Sequence, residues 1–99
     1  MIHVTMRTAE DVIVGTTTAG ITVNYMVFAN TTAARRTVRV HHVIATETGT
    51  TANAILYDAA IAPNSTLVVE MRIAVKPGES LRGKADANGV TATIYGSVG

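Results

Sequence analysis

Thr66-Leu67-Val68-Val69-Glu70-Met71-Arg72-Ile73-Ala74-Val75 is the stretch that decides the fold class. Leu67, Val69, Met71, Ile73 and Val75 occupy alternate positions, and Glu70 and Arg72 fall between them. Side chains on a strand point to opposite faces in turn, so this period of two predicts a β-strand with one buried face. Thr37 to Ile44 repeats the pattern, with Val38, Val40, His42 and Ile44 set against Thr37, Arg39 and His41. Val90 to Val98 does so again, with Val90, Ala92, Ile94 and Val98 opposite Thr91, Thr93, Tyr95 and Ser97. In Thr22 to Ala29 the same rule groups Val23, Tyr25 and Val27 on one face and Thr22, Asn24 and Met26 on the other.

Weaker strand signals cover Ile2 to Met6, Asp11 to Val14, Asn53 to Tyr57 and Leu81 to Ala85, the last with Leu81, Gly83 and Ala85 inward. Threonine and valine, stiff β-branched residues that suit a pleated sheet, dominate throughout. Turn-forming clusters separate the runs, among them Asn30-Thr31-Thr32, Thr48-Gly49-Thr50 and Ala62-Pro63-Asn64-Ser65. Pro77-Gly78 suits a type II turn, since proline fixes φ at the first central position and glycine accepts a positive φ at the second. Asn88-Gly89, between two alternating runs, is the strongest hairpin signal. Ala59-Ala60-Ile61-Ala62 has some helical character but is too short for more than a turn. About eight short strands with frequent turns predict an all-β fold, a single antiparallel β-sandwich, jelly-roll-like, in preference to a small barrel. Residues 21–99 form that sandwich, and residues 1–20 are either an N-terminal arm or an edge strand.

The chain of 99 residues has the size of one domain, and 47% of it is hydrophobic. Only 15% is charged, against a usual value of about 25%. A net charge of +1 gives no general attraction to nucleic acid or anionic membrane. The absence of cysteine excludes disulfides, thiolate catalysis and cysteine-ligated zinc, and fits folding in a reducing cytosol. The first residues lack the basic start and apolar run of a signal peptide, and no apolar stretch approaches the roughly 20 residues that span a bilayer.

Little in the chain suggests a reaction. His41-His42 are adjacent on a strand and point to opposite faces, which disfavours joint chelation of one ion. His42 is expected partly buried and hydrogen-bonded, and His41, on the face of Arg39, solvated or at an interface. The carboxylates of Glu10, Asp11, Glu47, Asp58, Glu70, Glu79 and Asp86 are scattered, with no spacing that pairs two of them. No serine sits in a G-x-S-x-G elbow, and no phosphate-binding glycine motif is present. Phe28, Tyr25, Tyr57 and Tyr95 are the only aromatics, few for stacking on bases or sugars. The expectation is no enzyme, no catalytic residue, no metal and no cofactor. Arg35, Arg36 and Arg39 form the one basic cluster, either a charged strand entrance that discourages edge pairing or a grip on acidic groups of a partner. With His41 and the polar run Thr16-Thr17-Thr18, they are the candidate partner contacts.

Ala34 to Val98 resembles a family of small structural proteins of tailed-bacteriophage virions. The resemblance is carried by Arg36-Thr37-Val38-Arg39-Val40-His41, Asn53-Ala54-Ile55-Leu56, Ile61-Ala62-Pro63-Asn64-Ser65-Thr66-Leu67, Pro77-Gly78-Glu79-Ser80-Leu81-Arg82-Gly83-Lys84-Ala85 and Val90-Thr91-Ala92-Thr93-Ile94, in that order. It implies a non-enzymatic β-sandwich of the phage particle, made in the host cytoplasm and carried on the capsid surface. The leading expectation is a capsid decoration, or cement, protein that binds the major capsid protein between capsomers as a homo-oligomer, with a trimer in view, and contacts no nucleic acid or membrane. The alternatives are a tail, fibre or head-to-tail connector component and, from another class, a carbohydrate-binding module. Residues 1–18 are then either an arm that adds a strand to a neighbour or an ordinary edge strand.

Overall fold

A computed structural model describes residues 2–15, 20–44 and 49–98. Eight strands follow one another as β1 (Ile2–Met6), β2 (Asp11–Val14), β3 (Ile21–Asn30), β4 (Arg36–Ile44), β5 (Ala54–Ile61), β6 (Ser65–Val75), β7 (Glu79–Ala85) and β8 (Val90–Val98). A single 3-10 turn, Thr51–Asn53, precedes β5. All described pairings are antiparallel. Two four-stranded sheets result, sheet A in the order β1-β8-β3-β6 and sheet B in the order β2-β7-β4-β5.

That order has a simple origin. β1 pairs with β8, β2 with β7, β3 with β6 and β4 with β5, so the chain is a nested ribbon folded about the β4–β5 connection. Rolling the ribbon places alternate pairs in opposite layers and adds the β3–β8 and β4–β7 contacts. The product is an eight-stranded jelly roll, the sandwich expected from the alternating runs.

The core lies between the layers. Val23, Met26 and Phe28 from β3 and Ala92 and Ile94 from β8 face Val38 and Val40 from β4 and Leu81 from β7, all almost fully buried. Residues 2–6 and 11–14 provide one edge strand to each sheet, and Met6, Ile13 and Val14 enter the same core. Of the two roles set out for the first twenty residues, β1 and β2 take that of edge strand. Thr16, Thr17 and Thr18 lie outside the described residues.

Three local expectations are corrected. Asn88-Gly89 does not close a hairpin, because β7 belongs to sheet B and β8 to sheet A. The turn keeps its chemistry, with Gly89 at φ 110°, and docks through its carbonyl on the Thr31 N–H at 3.1 Å. Ala59-Ala60-Ile61 is strand, since β5 runs on past Asp58, which takes φ 53° at a register break opposite Val38–Val40. Such a bulge inserts a residue and re-aims side chains without ending the strand. In β3 a register break between Val23 and Tyr25 reverses the alternation, so Met26 and Phe28 point inward while Tyr25 and Val27 point outward. Pro77-Gly78 forms the expected turn, with Gly78 at φ 88° and the Glu79 N–H bonded to the Lys76 carbonyl at 2.9 Å.

Candidate functional site: two unlike outer faces

Two broad surfaces are available to a partner, the outer faces of the two sheets, and they differ in chemistry. On sheet B the outward residues include Arg39, Asp58, Arg82 and Lys84. Arg39 on β4 makes a two-point ion pair with Asp58 on β5 (Nε–Oδ1 2.7 Å, Nη2–Oδ2 3.1 Å), and its guanidinium lies 4.2 Å from the centre of the Tyr57 ring. The β5 bulge makes this possible, because it turns both Tyr57 and Asp58 outward. The Arg39 guanidinium holds the Asp58 carboxyl below the usual carboxylate range, chiefly by hydrogen bonding. Two depressions flank this group, the larger of about 380 Å³. Arg39 and Lys84 line both, with Asp58 and Asp86 at the smaller and Glu10, His41 and Tyr57 at the larger.

His41 shares the face of Arg39, as its position on the strand requires, but it is only 4% exposed. Residues 49–53 fold over it. Nδ1 lies 3.0 Å from the Thr50 carbonyl and 3.0 Å from Asn53 Oδ1. Both oxygens accept, and Asn53 Oδ1 also takes the Thr50 N–H at 2.8 Å, so Nδ1 of His41 is the donor. Glu10 secures the same segment by accepting the Gly49 N–H at 3.2 Å, and it faces Arg82 Nη1 at 3.6 Å. His41 is therefore a loop anchor and not the exposed contact expected of it. His42 behaves as expected, half-buried with Nε2 2.9 Å from Glu79 Oε1.

The arginines do not form one patch. Arg36 spends its Nε on the Asn88 carbonyl at 3.1 Å and its Nη1 on the Arg35 carbonyl at 3.2 Å, which ties the start of β4 to the turn before β8. Arg39 is taken up by Asp58. Arg35 is exposed and remains accessible to a partner. Among the described residues no three His, Asp or Glu side chains come together as a metal-binding group. No helix among them is long and apolar enough to cross a membrane.

The outer face of sheet A is the surface that simple alternation misses. The cross-strand register sets its rows side by side: Thr5, Thr91, Ala29 and Thr66 in one, and His3, Thr93, Val27 and Val68 in the next. Tyr95 and Tyr25 follow, stacked with ring centres 4.5 Å apart. Tyr25 is 37% exposed and Val68 54%. His3 bonds Thr93 through Nδ1 at 3.0 Å, and the only acidic or basic residues of the described strands here are Glu70 and Arg72 on β6. Tyr25 and Val27 belong to this face because of the β3 register break, which a period-two grouping of both with Val23 does not reveal.

No protein-family model, curated protein or solved structure matches the chain. Its surfaces and topology are the remaining guide to function. The sheet A face presents hydroxyls, methyls and two aromatic rings on a flat β scaffold. Away from Glu70 and Arg72 on β6, it can lie against an uncharged neighbour without stripping water from an ionised group, the costly step in burying polar surface. The sheet B face spends most of its charges on internal ion pairs and loop anchoring.

Proposed function

We propose that the chain is a structural protein of a bacteriophage virion, a capsid decoration protein that binds the major capsid protein between capsomers and strengthens the shell. The observation that carries the reading is the sparsely charged outer face of sheet A, centred on Val27, Val68, Tyr25 and Tyr95, bordered by threonines and carrying only Glu70 and Arg72 as charges among the described strands. A cement subunit needs rigidity and a broad surface complementary to its neighbours, and no reaction. The jelly roll supplies the rigidity, and it recurs among viral capsid domains, which supports the reading by analogy of fold. The described strands bring only Glu70 and Arg72, one charge of each sign, to this face, so salt screening, which acts on charges, has little to act on there.

The test is to add the purified chain to undecorated capsids and follow binding and the temperature of shell disruption. Wild-type protein and Lys84→Glu, altered on the sheet B face, bind and raise that temperature. Val27→Lys, which puts a charge at the centre of the sheet A face, remains folded and does not bind. Absence of wild-type binding would overturn the decoration role, and a count of only a few copies per particle would move the chain to the tail or connector.

A further inference from the structure

We propose that two copies of the chain pair through β6, antiparallel and centred on Met71, so that the two A sheets join into one. β6 is an edge strand, hydrogen-bonded to β3 on one side only. Its 11 residues alternate between inward and outward from Ser65 to Val75, although its register with β3 shifts where Met71 and Arg72 stand opposite Asn24 alone. The other edge strands are shorter: β2 has four residues, β1 five, and β5 eight with the Asp58 bulge among them. Short edges resist pairing with another chain, whereas a long one invites it. β6 also looks unfinished. Leu67, Val69 and Met71 point toward the core yet stay half-exposed, and Val68 on the other face is 54% exposed.

Charge selects the occupant and the register. Glu70 and Arg72 stand two apart on the outward face of β6, and among the described residues neither has a hydrogen bond or ion pair. When Met71 lies opposite Met71 of a second copy, Glu70 falls opposite Arg72 of the partner subunit, and Arg72 opposite Glu70 of the partner subunit. The same register sets Val68 against Ala74 and Val69 against Ile73. Moving the pairing to centre on Glu70 or on Arg72 would put like charges face to face, which is unfavourable for residues directly opposed. The strand is thus complementary to itself in one register, the condition for a two-fold interface. The joined sheet would have eight strands, within the usual range for an open sheet.

Sedimentation equilibrium of the whole chain over a range of concentrations tests this. The wild type is expected to be a dimer that dissociates on dilution. Glu70→Arg and Arg72→Glu each create two like-charge pairs and weaken dimerisation roughly tenfold or more, while the double variant Glu70→Arg/Arg72→Glu recovers it. All four changed side chains in the dimer are exposed, so monomer folding is unaffected, which circular dichroism checks. Because the chain has no cysteine, Met71→Cys gives one thiol per copy, at the two-fold axis, and a short thiol-specific cross-linker joins the copies. A wild type that stays monomeric at every concentration overturns the proposal. So does a double variant as weak as the single ones, or a Met71→Cys protein that is not cross-linked.

Discussion

Replacing Asn30 with alanine tests how the two layers are held together. Asn30 ends β3 in sheet A and is only 2% exposed. Its Nδ2 donates to the carbonyls of Ala34 at 2.8 Å, Ile61 at 3.2 Å and Ala62 at 3.1 Å, and the Ile61 carbonyl closes β5 in sheet B. Its Oδ1 accepts the Thr32 N–H at 3.0 Å and the Thr32 hydroxyl at 2.7 Å. One amide therefore bridges the sheets and shapes the turn into β4. A hydrogen bond contributes about 1 kcal/mol net, and a buried group left without its partner costs about 1–3 kcal/mol. Losing the two donors and stranding the Ile61 carbonyl together cost about 3 kcal/mol. For a domain of this size that corresponds to a fall of roughly 12–24 °C in Tm. Urea denaturation followed by circular dichroism measures the change, with an unaltered m-value showing that the cooperative unit is the same. Asn30→Asp keeps an acceptor for Thr32 but turns a carboxylate toward three carbonyls, and it should be at least as destabilising. A loss below about 1 kcal/mol for the alanine variant would refute the reasoning, because water or loop movement would then be satisfying the carbonyls.

Two further outcomes follow from the loops. The Glu79 carboxyl is held below its ordinary value of 4.5, first by the Lys76 N–H at 3.0 Å and then by His42. A depressed folded-state pKa adds stability that is present above the unfolded value and lost as pH falls through the folded one. Wild type should therefore exceed Glu79→Gln in stability at neutral pH, and the two should converge on acidification below about 4.5, as urea unfolding across pH would record. At Gly49 an added Cβ would collide with the Glu10 carboxylate and come within 2.6 Å of the His41 ring. Gly49→Ala should destabilise by about 1–3 kcal/mol, in the range of overpacking, with a matching fall in Tm by calorimetry.

Legibility in the sequence followed the physics of each element. β1, β2 and β8 have the bounds expected of them, and β4 and β6 start one residue earlier, but in β4 Ile44, grouped with the buried Val38 and Val40, is 55% exposed while Val43 is buried. β3 broke the rule. A register break at Val23–Tyr25 is invisible to a period-two count, yet it exchanges the faces of every residue beyond it. That exchange puts Tyr25 and Val27 on the candidate partner surface, so the site was less readable than the fold. Asp58 hid in a similar way, since an acidic residue beside small ones reads as a turn and here opens a bulge at φ 53°. Asn88-Gly89 specified its own backbone correctly, but a dipeptide carries no information about which layer the next strand joins. The role of His41 depended on residues 49–53 folding over it, a contact between segments that neither segment announces.

The nested ribbon also bears on how the molecule can form. Among the described residues β4 and β5 are the only paired strands adjacent along the chain, and each successive pair outward encloses a longer loop, up to Ile2 with Ile94. The entropy of closing a loop rises with its length, and folds dominated by distant pairings form slowly. During synthesis β1 and β2 are made before β8 and β7, so a growing chain holds the apolar residues of β1 and β2 without their partners until β7 and β8 have followed. Folding should be correspondingly slow, in the millisecond-to-second range of sandwich domains. The outermost pair, closing last, should also be the first to peel away, ahead of the centre of the ribbon in hydrogen exchange.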